Sequence, residues 1–199
     1  MGIITPGFRG RRPDPAVHLP PGQYLTHDFP VLSAGPTPAI DLNTWTFTVT
    51  TEADEARTWS WREFLALPQE FPMVDIHCVT KWSKLGTLWG GVSLDVLLGD
   101  IETTADYAMV KSYGGYTTNL PLEDLLDGKA WIVHEYDGEP LTPPHGGPAR
   151  LLVPHLYFWK SAKWVRGIDL MVDNEPGFWE TFGYHDYGDP WREQRYAGD

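Results

Sequence analysis

Asp75–Gly90 reads D-I-H-C-V-T-K-W-S-K-L-G-T-L-W-G, and the rest of the chain is best read outward from it. It holds the only cysteine of 199 residues, Cys78, with His77 before it and Lys81, Trp82, Lys84 and Trp89 after it. No acidic residue occurs from Ile76 to Leu94, although the chain carries a formal charge of -12. Within Phe71–Thr80 the run M-V-D-I-H-C-V-T predicts a buried strand ending near Cys78. A lone free cysteine is most often a small buried hydrophobe. Against that, His77, Lys81 and Lys84 are the kind of neighbours that lower a thiol pKa. His77 is poorly placed as a base for the thiol, because adjacent residues on a strand point to opposite faces.

Composition narrows the class. A chain of this length with 42% hydrophobic residues can bury one sizeable core. Eighteen prolines and 20 glycines imply many turns and short elements. The acidic balance argues against nucleic acid, which is bound by clustered Lys and Arg. A single cysteine makes no internal disulfide and gives no sign of an oxidising compartment. Residues 1–20 lack the apolar stretch of a secretory signal, and no run approaches the roughly 18 residues of a membrane span. The expectation is a cytoplasmic protein.

Along the chain, 1–18 reads as an extended arm, 19–173 as one domain and 174–199 as an aromatic tail packed on it. Asn43–Glu52 alternates Trp45, Phe47 and Val49 with threonines, the period of a half-buried strand. Ser60, with Glu63 three residues on, predicts a capped helix over Trp61–Leu67. Val92–Leu98 and Pro121–Leu126 read as short helices, with Gly114–Asn119 a loop. Further strands are expected at Tyr107–Tyr113, Ala130–Tyr136, Arg150–Pro154 and Lys163–Val172. The fold class is α+β, strand-rich, with short helices at the edges.

A second acid-free stretch, Pro140–Ile168, holds His145, Arg150, His155, Lys160, Lys163 and Arg166. Two such segments in an acidic chain suggest a buried anionic ligand, phosphate above all. Zinc spacings, a P-loop, a dinucleotide fingerprint and a G-x-S-x-G elbow are all missing.

Three motifs in this order, H-C-V-T-K-W-S-K-L-G, P-P-H-G-G-P-A-R-L-L-V-P and W-K-S-A-K-W-V-R-G-I-D-L, resemble the molybdopterin-binding domain of the sulfite oxidase family. The likeness is greatest to its short bacterial members and runs from about Leu19 to Val172. It implies a sulfite oxidase-type fold and a Mo-molybdopterin cofactor, with Cys78 as the thiolate ligand of molybdenum. It also implies cofactor contacts at His27, Asp28, Ser112, His145 and Arg150, and at the phosphate-holding turn Ser161, Ala162 and Lys163. Tyr116 matches the family's active-site tyrosine, and Lys81 or Trp82 would border the substrate. Thr26 stands where sulfite oxidases place an arginine for the sulfite oxyanion, a departure that weakens the inference to sulfite.

The resemblance implies two-electron oxygen-atom transfer to or from a small substrate, by S- or N-oxide reduction or sulfite-type oxidation. No stretch resembles the family's haem domain, so a separate electron-transfer partner is expected. Two other classes remain: a metal-free binding module that keeps the fold, and a hydrolase or redox sensor using Cys78 as a free nucleophile.

Overall fold

The computed structural model describes residues 18–199, so the expected arm lies, except for His18, outside the described residues. Two sheets carry the domain. In the first, β2 (Thr46–Thr50) sits beside β3 (Ala56–Ser60). The alternation read from the sequence holds: Phe47 and Val49 are fully buried, while the Thr48 hydroxyl meets that of Thr58 at 2.9 Å across the pair. Ser60 then caps α1 (Trp61–Leu65). Its side chain accepts from the Glu63 N–H, and the Glu63 carboxylate accepts from the Ser60 N–H at 2.8 Å, the reciprocal pair expected of S-x-x-E.

The second sheet is organised by the Cys78 region. β4 (Met73–His77) turns into β5 (Trp82–Ser93), whose 12 residues pair with β4 and with β8 (Trp131–Tyr136), and at their start with β1 (Tyr24–Leu25). The other side of β8 takes β9 (Glu139–Pro140) and β10 (Arg150–Leu152). At the end of β5, Ser93 caps α2 (Leu94–Leu98) by accepting from the Asp95 N–H. The chain returns to the first sheet through β6 (Tyr107–Ser112), β7 (Thr117–Pro121) and β11 (Val165–Met171), giving the order β3-β2-β11-β6-β7.

Several sequence expectations are corrected here. Gly114–Asn119 is partly the strand β7, and Pro121–Leu126 holds one 3-10 turn, Leu122–Asp124. Val92 belongs to β5, not to the helix after it. β5 itself and β3 were not expected as strands. At Gly90–Gly91 the β5/β8 register slips in a bulge, where the backbones approach so closely that a Cβ on Gly91 would stand 2.3 Å from the Ile132 carbonyl oxygen. Gly91→Ala must therefore push β5 off β8. The expected cost is about 3 kcal/mol, the upper end for overpacking. In a chain of this size it should be read as a fall of roughly 6–12 °C in thermal midpoint.

Two apolar cores result. The larger joins Trp45, Phe47, Phe64, Leu97, Leu120, Leu151 and Ile168 with their neighbours. The smaller is built on the second sheet around Ile76, Cys78, Trp82, Trp89 and Trp131.

Candidate active site

The β4–β5 connection runs through Val79, Thr80 and Lys81. The Lys81 N–H donates to the Cys78 carbonyl at 2.9 Å and the Cys78 N–H to the Trp82 carbonyl at 2.8 Å. Lys81 closes the loop at φ +77°, a left-handed position that usually calls for glycine. The turn sends Lys81 to solvent, leaving the Cys78 side chain facing a cavity of about 470 Å³. Around the sulfur gather hydrogen-bond donors: the Thr80 hydroxyl at 3.1 Å and the backbone N–H groups of Val79 and Thr80. Burial pushes the thiol pKa up, while these donors and Lys163 pull the other way. His77 points elsewhere, with Nδ1 2.8 Å from the Ser83 hydroxyl, in line with the opposite-face expectation.

The second and third motifs supply the cavity's basic groups. Arg150 is almost completely buried, donating to the carbonyl oxygens of His145 (2.9 Å) and Ser161 (2.7 Å). Its guanidinium lies 4.1 Å from the Phe158 ring centroid. The Lys163 ammonium donates to the carbonyls of Leu32 and Pro144, both at 2.7 Å. Burial lowers the pKa of Arg150 to about 9. Burial, with Arg150 beside it, lowers that of Lys163 to about 8. His145 is pushed down by burial and then by both cations. No carboxylate lines the cavity among the described residues. Three basic groups thus crowd one another with no anion to offset them, the electrostatic signature of a site made for an anionic ligand.

A further part of the cavity wall is aromatic. Tyr116, Trp159, Phe178, Trp179 and Tyr184 line it, the last three coming from the C-terminal segment. That segment is docked by buried polar contacts. Lys160, with no exposed surface, meets the Glu180 carboxylate at 2.7 Å and donates to the Asn119 carbonyl and side-chain oxygens at 2.8 and 3.0 Å. The Trp159 indole N–H donates to the same Glu180 oxygen at 2.9 Å. A Cβ on Gly177 would fall 2.6 Å from the Thr118 Cα, so the segment lies directly against β7. Through these contacts Phe178, Trp179 and Tyr184 take a place in the cavity wall that the sequence does not suggest.

Of the expected site residues, the structure brings together Cys78, Tyr116, His145, Arg150, Ser161, Ala162 and Lys163, with Trp82 beside them. His27 and Asp28 do not reach the cavity. Their place is taken by Phe29, stacked on the His145 ring at 4.0 Å, and by Leu32. Thr26 also stays outside: its N–H donates to the Ser83 carbonyl at 2.9 Å, which fixes it along β5 just after β1. Ser112 is buried but does not line the cavity. Lys81 and Lys84 do not border it either; Lys84 donates to the His27 carbonyl. Lys160, expected among the anion-binding cations, is committed to Glu180.

A family model described as "Oxidoreductase molybdopterin binding domain" matches residues 34–179, well over half of the chain. The chain belongs to this family and is a molybdopterin-dependent oxidoreductase of the sulfite oxidase-like kind. It is 43% identical over 192 residues to an uncharacterized oxidoreductase, YuiH, of Bacillus subtilis, covering 95% of this chain and 97% of that one. It is 27% identical over 167 residues to the protein-methionine-sulfoxide reductase catalytic subunit MsrP of Campylobacter jejuni, covering 72% of this chain and 54% of that relative. The chain thus spans about half the length of that reductase. The fold matches the sulfane dehydrogenase SoxCD of Paracoccus pantotrophus with a TM-score of 0.61 at 17% identity, over 69% of this chain and 40% of that one. Among the described residues no helix is long and apolar enough to cross a membrane.

The cavity fits the cofactor that the family name implies. His145 Nδ1 is buried without a hydrogen-bond partner among the described residues, an acceptor or donor held ready for a ligand. The paired cations suit a phosphate. No group of three His, Cys, Asp or Glu side chains capable of holding a metal occurs among the described residues. Cys78 is the one soft donor that the described cavity lining offers to a metal.

Proposed function

We propose that the protein binds Mo-molybdopterin and uses it to reduce a small S- or N-oxide by two-electron oxygen-atom transfer. The observation that carries the reading is that Cys78 shares one cavity with His145, Arg150, Lys163 and a set of aromatic rings, with no carboxylate in the lining among the described residues. When bound, the molybdenum centre supplies the two-electron redox change and a place for the transferred oxygen. For a sulfoxide, two electrons and two protons are taken up, and a sulfide and water are released. The sulfur–oxygen bond breaks, sulfur is reduced and the oxygen leaves as water. The electrons come from a separate electron-transfer protein.

The chain's own residues divide the work. Cys78 would hold the metal as a thiolate, which the donors around its sulfur would stabilise. Arg150 and Lys163 would hold the pterin phosphate, and the stacked His145 and Phe29 would supply a further contact for the cofactor. The Tyr116 hydroxyl donates to the Trp159 carbonyl at 2.6 Å. Burial, and then the Glu180 charge, hold its pKa well above the usual range, so Tyr116 stays protonated and borders the reacting atoms as a fixed dipole. The methionine sulfoxide reductase relative supports this direction of reaction.

The test is a protein made in a molybdenum-replete host. One molybdenum per chain and a pterin released on denaturation are expected. Reduced viologen should be oxidised when sulfoxide or N-oxide is added. Metal-free protein, or holoprotein that turns over neither oxide, would sink the reading.

A further inference from the structure

We propose that residues 178–184 are the specificity-determining wall of the site, selecting a neutral oxide that carries an aryl or bulky alkyl group over a small oxyanion. The inference rests on the oxide-reducing reading above and adds the substrate class. Phe178 and Trp179 meet edge to face at 5.1 Å between centroids, as do Tyr184 and Trp159 at 5.2 Å, while Trp179 and Tyr184 lie tilted by 31° at 4.9 Å. Tyr116 continues the series, 5.8 Å from Phe178. These five rings form one connected surface along the cavity and carry no formal charge.

The charges behind that surface are already committed. Lys160 faces Glu180 at 2.7 Å, with the rest of its donor capacity on Asn119. Arg150 and Lys163 donate to backbone carbonyls and, on the reading above, to the pterin phosphate. An anion such as sulfite would gain no charge contact from these five uncharged rings. An apolar substituent gains ring contact and loses water there. Trp179 is only half-buried, so ring surface remains for a ligand.

Binding of methyl phenyl sulfone, an oxide analogue that this reduction would leave unchanged, tests the wall apart from turnover. Titration calorimetry on the holoprotein should show it binding about tenfold tighter than dimethyl sulfone, the preference that ring stacking supplies. Trp179→Ala should erase most of that preference and Trp179→Phe should restore most of it. The kcat/KM ratio of methyl phenyl sulfoxide to dimethyl sulfoxide should fall in parallel in Trp179→Ala. Equal binding of the two sulfones to the unaltered holoprotein, or tighter binding of sulfite than of either, overturns the proposal whether or not any variant folds. A wild-type preference that Trp179→Ala leaves intact in a folded protein overturns it as well. If the aryl sulfone is preferred and lost on Trp179→Ala while no oxide is reduced, the wall stands and the oxide-reducing reading fails.

Discussion

Cys78→Ala should cost far more than a hundredfold in oxide turnover, since losing only the hydrogen-bond partner behind a metal ligand already costs about 10–100-fold. The fold should survive the change. Cys78 belongs to the smaller core, but alanine there removes only one sulfur atom, worth about 1 kcal/mol of lost burial. A fall of roughly 2–4 °C in thermal midpoint is expected for a chain of this size. Activity and stability therefore separate. A purely packing role predicts the opposite, a modest thermal loss with turnover retained. A second measurement distinguishes the ligand from a free nucleophile. In the holoprotein Cys78 should resist thiol-blocking reagents over hours, whereas a thiol labelled within minutes would speak for the hydrolase or sensor. Removal of the cofactor should bring the reactivity back.

The largest stability effect is expected at Lys160→Met. The substitution leaves the Glu180 carboxylate buried without its cation, facing the Trp159 indole and the Thr118 hydroxyl. Breaking a buried pair from one side costs about 3–5 kcal/mol. In thermal midpoint that is roughly 6–20 °C for a domain of this length. The double variant Lys160→Met/Glu180→Gln should recover much of the loss, because a neutral amide no longer requires a counter-charge. Additive losses in that cycle, measured by denaturant unfolding, would show that the two side chains do not act as a pair.

The sequence spoke clearly where local chemistry is sufficient. The S-x-x-E cap of α1 and the period-2 threonines of β2 are decided within a few residues. The three motifs brought Cys78, His145, Arg150 and Lys163 to one cavity. β5 was illegible for a physical reason. It pairs with three other strands and is covered on both faces for much of its length, so K-W-S-K-L-G-T-L-W-G has no clean alternation. Its glycines, which resemble a turn, mark a bulge instead. The segment carrying His27 and Asp28 has no period to fix its register, so nothing in the sequence singles out Phe29, which lines the cavity where they do not. The reassignment of Lys160 could not be read at all, since its partner Glu180 is remote in sequence and only tertiary packing joins them.

The Gly177–Glu180 docking against β7 also has a temporal side. Every cavity residue from Phe29 to Trp164 is synthesised before Phe178, Trp179 and Tyr184. At about 5–20 residues per second, the stretch from Trp164 to Phe178 takes roughly one to three seconds to make. Until it is made, neither the wall that Phe178, Trp179 and Tyr184 supply nor the Lys160–Glu180 clip that seats it can form.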